Sequence, residues 1–277
     1  EDGQPHVAAH THAAQPEGRV ASPHVHVHVD GGGGGGGAAV ETPSFISLSV
    51  RNDGVLFEDG MIQVGVKSEY KGGQGRLALY YGNKTPTPLV SFSAAVSGVP
   101  EVSVQASPVP SAVQPGQQLQ QLVQLECNAP FGEPPSLRLS FMGAPSGGIH
   151  VKLPVTPTKF CAPLPGLGAA PFFERWNSVG GPPNEAQKIT TLLERPQNMN
   201  LFNGLSAKGL QLAVLSGVDP VQTNLVAIGC VVIKGKTQAE CPPVMLRIEI
   251  NLQVHRRACA AVECGSHVRA RPAAHAR

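Results

Sequence analysis

The sequence predicts a mainly β chain, a two-sheet sandwich followed by a smaller α+β subdomain, and three observations carry that expectation. Eight short apolar-rich runs recur between residues 45 and 155. Turn chemistry lies between them, in Asn52-Asp53-Gly54, Gly72-Gly73, Gly82-Asn83 and Pro134-Pro135. After Pro157 the pattern switches to mixed helical and strand periodicity.

In order, the predicted strands of the first part are residues 45–50, 61–70, 76–81, 89–96, 101–106, 118–127, 137–142 and 149–155. Short strands at this spacing read as an immunoglobulin-like sandwich over residues 44–155. Residues 156–253 read as the α+β part, with helices at 172–179 and 185–193 and strands at 204–216, 224–233 and 245–252. The connection around residues 152–157 is short enough to put the two parts in contact. Residues 1–43 are low-complexity and include seven consecutive glycines, Gly31 to Gly37. Such a segment buries too little apolar surface to offset its chain entropy and is expected to be disordered. Past Gln253 the periodicity fades into Ala, Arg, His and Cys, so residues 254–277 read as an aberrant or disordered basic tail that leaves the second subdomain incomplete.

Charge is spread unevenly. Residues 1–43 carry five acids against one base, residues 44–253 thirteen against fifteen, and residues 254–277 one against five, so the tail sets the net sign and the middle is nearly neutral. No basic stripe interleaved with aromatics supports a nucleic-acid surface. The six cysteines, at 127, 161, 230, 241, 259 and 264, form no CxxC pair and read as reduced thiols of a cytosolic protein. No run of eighteen apolar residues and no signal-peptide pattern is present in this sequence.

Catalytic and metal motifs are weak throughout. His24, His26 and His28 alternate with Val, but nothing adjacent would hold a metal and the Gly run follows. Gly235-Lys236-Thr237 ends like a phosphate-binding loop, yet position 230 is Cys and Val231-Val232-Ile233 reads as strand. No G-x-S-x-G elbow or HExxH pair occurs, and Asn83-Lys84-Thr85 is only formally a glycosylation acceptor. Neither catalysis, nor a metal, nor a cofactor is expected. The single Trp sits in Pro171-Phe172-Phe173-Glu174-Arg175-Trp176, where the rings have the spacing of one helical stripe. By pattern alone such a stripe packs inward.

Several short motifs in one order resemble a known family. Asn52-Asp53-Gly54-Val55-Leu56-Phe57-Glu58, Gly65-Val66-Lys67-Ser68-Glu69-Tyr70, Tyr81-Gly82-Asn83-Lys84-Thr85, Gln120-Gln121, Glu126-Cys127 and Val151-Lys152-Leu153-Pro154 resemble the sandwich of the C-terminal appendage, or ear, of alpha-adaptin, the large subunit of the endocytic clathrin adaptor complex. Phe172-Phe173-Glu174-Arg175-Trp176, Val218-Asp219-Pro220 and Leu246-Arg247-Ile248-Glu249 resemble the platform subdomain that follows it in that family. The resemblance spans residues 45–253.

It implies a non-catalytic hub, cytoplasmic and peripheral at clathrin-coated pits and vesicles. Its expected partners are disordered endocytic accessory proteins carrying Asp-Pro-Phe, Asp-Pro-Trp or Trp-x-x-Phe-acidic peptides, and other adaptor subunits reached through a trunk absent from this chain. At the matching platform positions stand Phe173, Trp176, Glu185 and Arg247, with the rings as walls of an exposed pocket, Arg247 meeting an acidic residue, and Phe172 in the core. The family's two further platform Arg do not fall in register with Arg256 and Arg257. At the matching sandwich positions stand Asn52, Glu58, Lys67, Tyr80, Gly82 and Gln118. Two alternatives stay open, a beta-type ear of another coat subunit and an enzyme domain with an unrecognised site.

Overall fold

The computed structural model describes residues 38–179, 186–191, 210–250 and 265–272, all within one compact unit. The candidate His24, His26 and His28, as well as Glu185, Arg256 and Arg257, lie outside the described residues. In chain order the first strands are β1 (Asp53–Glu58), β2 (Ile62–Lys71), β3 (Gln74–Asn83), β4 (Leu89–Val90), β5 (Ser93–Ser97), β6 (Val102–Ala106), β7 (Ala112–Val113), β8 (Gln118–Cys127), β9 (Ser136–Ser140) and β10 (Ile149–Lys152). Then come β11 (Cys161–Pro163), β12 (Ala186–Thr191), β13 (Ala213–Val214), β14 (Leu225–Val231), β15 (Pro243–Ile250) and β16 (Gly265–Pro272), with helices α1 (Phe45–Val50) and α2 (Ala169–Ser178).

The first part is a sandwich of two antiparallel sheets, β1-β2-β3-β8-β6 against β10-β9-β5. Its strands alternate inward apolar and outward polar residues, which is what one face on a core and one face in water require. Leu56, Ile62, Val64, Leu77, Leu79, Val123 and Leu125 meet Leu137, Leu139 and Val151 in one buried cluster. A buried polar clasp joins the two sheets: Tyr81 Oη donates to Gln121 Oε1 at 2.6 Å, and Gln121 Nε2 donates to the carbonyls of Ser107 at 2.7 Å and of Ala94, in β5, at 3.3 Å. Asn83, the formal glycosylation acceptor, is buried, and its Nδ2 donates to the carbonyls of Thr87 and Val113.

Four local expectations change. Residues 45–50 form a short helix, because Phe45 and Leu48 stand three apart and both reach the core on one helical face. The stretch after Asn52 is a strand rather than only a turn: Val55, Leu56 and Phe57 supply the propensity, and β1 pairs with β2 through an irregularity between Val55 and Phe57. Residues 186–191 are strand β12 in place of the expected helix, since Ile189, Thr190 and Thr191 are β-branched. Residues 38–43, assigned above to the disordered segment, dock on the sandwich. Val40 bridges Val151 in parallel, and Lys152 forms ion pairs with Glu41 and Glu133.

The second part is a sheet in the order β11-β14-β15-β16-β12, with β13 on β14. Strand β16 falls in the stretch read as a tail. The missed signal is the alternation of His267, Arg269 and Arg271 with Ser266, Val268 and Ala270, a period of two that polar composition hid. Gly73 marks the contact between the two parts: a Cβ there would lie 2.4 Å from the Lys234 backbone nitrogen, so only glycine allows the approach. Beside it the Lys234 N–H donates to the Cys127 carbonyl at 2.8 Å, and the Lys234 ammonium pairs with Glu126.

Candidate functional site

Outward residues of the five-stranded sheet fall in rows set by strand register. Glu58 opposes Gln63, Gln63 opposes Gly82, and Gly82 opposes Gln118, which brings three of the six expected sandwich positions into one line across β1, β2, β3 and β8. In the next row Gly65 opposes Tyr80 and Tyr80 opposes Gln120; in the one after, Asp53, Lys67, Ala78 and Leu122 align. Facing residues in a ladder share a side, so Glu58, Lys67, Tyr80, Gly82 and Gln118 occupy one exposed face.

This face is low in the middle and sticky. Gly65 and Ala78 are small, while Val55 and Leu122 expose apolar side chains at 40% and 45%. Tyr80 is half-buried, and its hydroxyl accepts from Gln120 Nε2 at 3.2 Å, which fixes the ring edge. A Cβ on Gly82 would meet nothing closer than 3.9 Å, so the gap beside it is open surface. Glu58 is engaged: Lys84 Nζ lies 2.7 Å from Oε1, and Gln63 Nε2 donates to Oε2 at 2.9 Å. Lys67 is exposed and forms no ion pair among the described residues. Among the described residues one end of the face thus holds a cation without an ion pair, with Asp53 opposite it in the ladder, and the other a neutralised carboxylate.

Asn52 stands apart from that face. It lies one residue before β1, its carbonyl accepts from the Ser68 N–H at 2.7 Å, and its Oδ1 accepts from Lys159 Nζ at 3.0 Å. Sequence reasoning missed Val55, Gly65, Gln120 and Leu122, although counting by twos from Lys67 along β2 reaches Gly65 and the pairing of the strands supplies the rest.

The platform positions are arranged differently from the expectation. Phe172 is fully buried, and Trp176 stacks on it with ring centroids 5.9 Å apart. Trp176 is only 4% exposed and packs with Val226, Ile228 and Met245, so in this structure the indole is core and not a wall of an open pocket. The reason is the i, i+4 relation of Phe172 and Trp176, which commits both to the face of α2 that covers the sheet. Phe173, one residue round the helix, is half-buried, and the Arg247 guanidinium stands 5.9 Å from its ring centroid. Arg247 is already paired: its Nε lies 2.7 Å from Asp219 Oδ2, and it also donates to Glu249. Burial pushes the Asp219 carboxyl up, but hydrogen bonds from Arg247, the Val221 N–H and Asn224 outweigh it and hold the group below its ordinary range. Strand register sets Arg269 opposite Arg247 and Arg271 opposite Met245, positions that the sequence reading did not anticipate.

No cluster of His, Cys, Asp or Glu suited to a metal occurs among the described residues. Cys127, Cys161, Cys230 and Cys241 are buried free thiols, and burial pushes Cys127 up to about 11 and Cys161 up to about 12.

Two family models match this chain in tandem, one described as the adaptin C-terminal domain over residues 52–151 and one as the alpha adaptin AP2, C-terminal domain over residues 159–263. The chain belongs to the alpha-adaptin family, as a C-terminal appendage. The second match runs ten residues past Gln253, into the stretch where periodicity faded. The appendage is 39% identical over 186 residues to AP-2 complex subunit alpha-2 of Dictyostelium discoideum, covering 66% of this chain and 18% of that protein. It is 34% identical over 187 residues to AP-2 complex subunit alpha-1 of Arabidopsis thaliana, with the same coverage of 66% and 18%. The chain therefore spans under a fifth of the length of those relatives. Among solved structures, the GAE domain of yeast GGA1 matches 32% of this chain and 87% of its own, at 15% identity and a TM-score of 0.28.

Proposed function

We propose that this appendage is a non-catalytic capture module of a clathrin adaptor, cytoplasmic and acting at coated pits, that recruits disordered endocytic accessory proteins by Trp-x-x-Phe-acidic peptides laid across the outer face of the five-stranded sheet. The observation that carries the reading is the exposed face itself, with Tyr80, Gly82 and Gln118 at one end and, at the other, Lys67, which forms no ion pair among the described residues. Aromatic side chains of such a peptide gain by covering Val55, Leu122 and the Tyr80 ring, and low ground at Gly65, Ala78 and Gly82 lets its backbone come close. Lys67 then meets the peptide's carboxylate. Other adaptor subunits are its further partners.

A second surface on the platform, for Asp-Pro-Phe or Asp-Pro-Trp peptides, rests on Phe173 beneath Arg247. An incoming carboxylate there competes with Asp219 and Glu249 for the guanidinium, so we assign the sandwich face as the primary site.

Calorimetric titration with a synthetic acidic peptide carrying Trp and Phe three apart tests this. Lys67→Glu is expected to weaken binding by about 1–2 kcal/mol and to invert its salt dependence, because an attractive rim charge becomes repulsive. Gly82→Leu fills the gap and abolishes binding while the domain stays folded. Unchanged affinity in both variants removes the sandwich face from the account.

A further inference from the structure

Past Lys67 the exposed face runs on for two more rows of the ladder. Glu69 opposes Arg76, Arg76 opposes Gln124 and Gln124 opposes Gln105; beyond them Lys71 opposes Gln74, Gln74 opposes Glu126 and Glu126 opposes Ser103. On β2, β3 and β8 each of these residues stands two from a member of the row before, so all keep the side on which Lys67, Ala78 and Leu122 lie. A cleft of about 410 Å³ opens over these rows, lined in part by Glu69, Lys71, Gln74, Arg76, Gln124 and Glu126. Glu126 is already satisfied: it pairs with the Lys234 ammonium and accepts from Gln74 Nε2 at 3.4 Å, and the Lys234 hydrogen bond holds its carboxyl below the ordinary range. Glu69 is held more loosely. Arg76 Nη2 lies 3.2 Å from Glu69 Oε2, with the two side chains 62% and 66% exposed. A pair so open to water is worth little and rearranges at small cost, and the planar guanidinium fork keeps further N–H bonds for a second carboxylate. Arg247 on the platform differs, since its side chain is 19% exposed and two carboxylates hold it. Lys71 is exposed and forms no ion pair among the described residues. With Glu126 and Lys234 cancelling, Lys67, Lys71 and Arg76 stand against Asp53 and Glu69, a positive surplus at this end of the face.

We propose that this cleft reads a second acidic side chain of the peptide, two residues C-terminal to the one that meets Lys67, with Arg76 and Lys71 as its cationic contacts. This rests on the peptide-binding reading above. Outward residues of an extended peptide recur every second position, about 7 Å apart, which is also the step between rows of the sheet. A peptide whose aromatic pair covers Val55, Leu122 and Tyr80 and whose first acid meets Lys67 therefore brings its next outward residue over the row of Glu69, Arg76 and Gln124. There the incoming carboxylate shares the Arg76 fork with Glu69 and gains the Lys71 ammonium from the following row.

The test uses the full chain and two synthetic peptides, both with Trp and Phe three apart, the same first acid and an amidated C-terminus, differing only in Glu or Gln two residues after that acid. At low salt the Glu peptide is expected to bind about threefold to fivefold tighter, and the advantage fades as salt rises. In Arg76→Gln and in Lys71→Gln that ratio falls toward one while the Gln peptide changes little; in Glu69→Gln the ratio grows, because the carboxylate that competes for Arg76 is gone. All three side chains are exposed, so thermal midpoints stay near that of the parent. Equal binding of the two peptides by the parent, or a Glu advantage that survives Arg76→Gln and Lys71→Gln combined, overturns the second acid contact. If Lys67→Glu still weakens both peptides in that case, the face itself stands. Absence of binding of either peptide by the parent overturns both readings.

Discussion

Trp176→Ala separates a core ring from a ligand-binding ring. With 4% of its surface exposed, a stack on Phe172 at 5.9 Å and neighbours Val226, Ile228 and Met245, Trp176 fills the space between α2 and the platform sheet. Removing an indole from such a site costs about 3–5 kcal/mol, transfer loss plus the cavity left behind, which is a large share of a domain's stability. An exposed pocket wall would instead cost little in folding and about 2 kcal/mol in binding. Urea unfolding followed by circular dichroism measures the first quantity and calorimetry with an Asp-Pro-Phe peptide the second. The parent offers an independent readout, because Trp176 is the only Trp in the chain and its emission is therefore unambiguous. Burial predicts blue-shifted emission, weak quenching by acrylamide and no change on adding peptide. A Trp176→Ala variant as stable as the parent but blind to the peptide would falsify the core placement and restore the pocket.

Stability should rise with pH from about 8 to 9 and then fall. The Lys159 amine is lowered in the folded state, so over that window the unfolded chain binds more protons and loses them at a cost in free energy, whereas the raised Cys127 and Cys161 thiols keep protons that the unfolded chain gives up above about pH 9. In Lys159→Met the rise disappears and the fall persists; chemical denaturation at each pH reads both. Gly73→Ala drives a Cβ to 2.4 Å from the Lys234 backbone and should destabilise by about 1–3 kcal/mol, with loss of hydrogen-exchange protection at the Lys234 N–H. Parental stability there would mean that the β2–β3 turn and the loop after β14 do not touch.

What the sequence made legible follows from which signals are local. The long strands β2, β3 and β8 were visible because alternation over ten residues is hard to produce by chance and because Gly, Asn and Pro bracket them. Helix α1 and strand β12, at six residues each, fall below the length at which periodicity separates helix from strand. Residue types on the sandwich face were readable one by one, but their union was not. That Glu58, Gln63, Gly82 and Gln118 form a line depends on the register of three strand pairs and on an irregularity in β1, which no local window contains. The aromatic stripe shows the converse limit. Its helical spacing already placed Phe172 and Trp176 on one side, and the structure confirms that geometry with both rings buried; the motif likeness pointed Trp176 outward, yet the side of a helix that faces the sheet is decided by which rings can be covered there. Lys159 was invisible for a different reason: nothing in Pro157-Thr158-Lys159-Phe160 announces a buried cation, since its partners Arg51 and Asn52 lie more than a hundred residues away in the chain. A long-range contact of this kind, a buried ammonium on a 3-10 turn held by the carbonyl and side-chain oxygen at the start of β1, exists only once the two stretches meet in the folded chain, so no local window of sequence contains it.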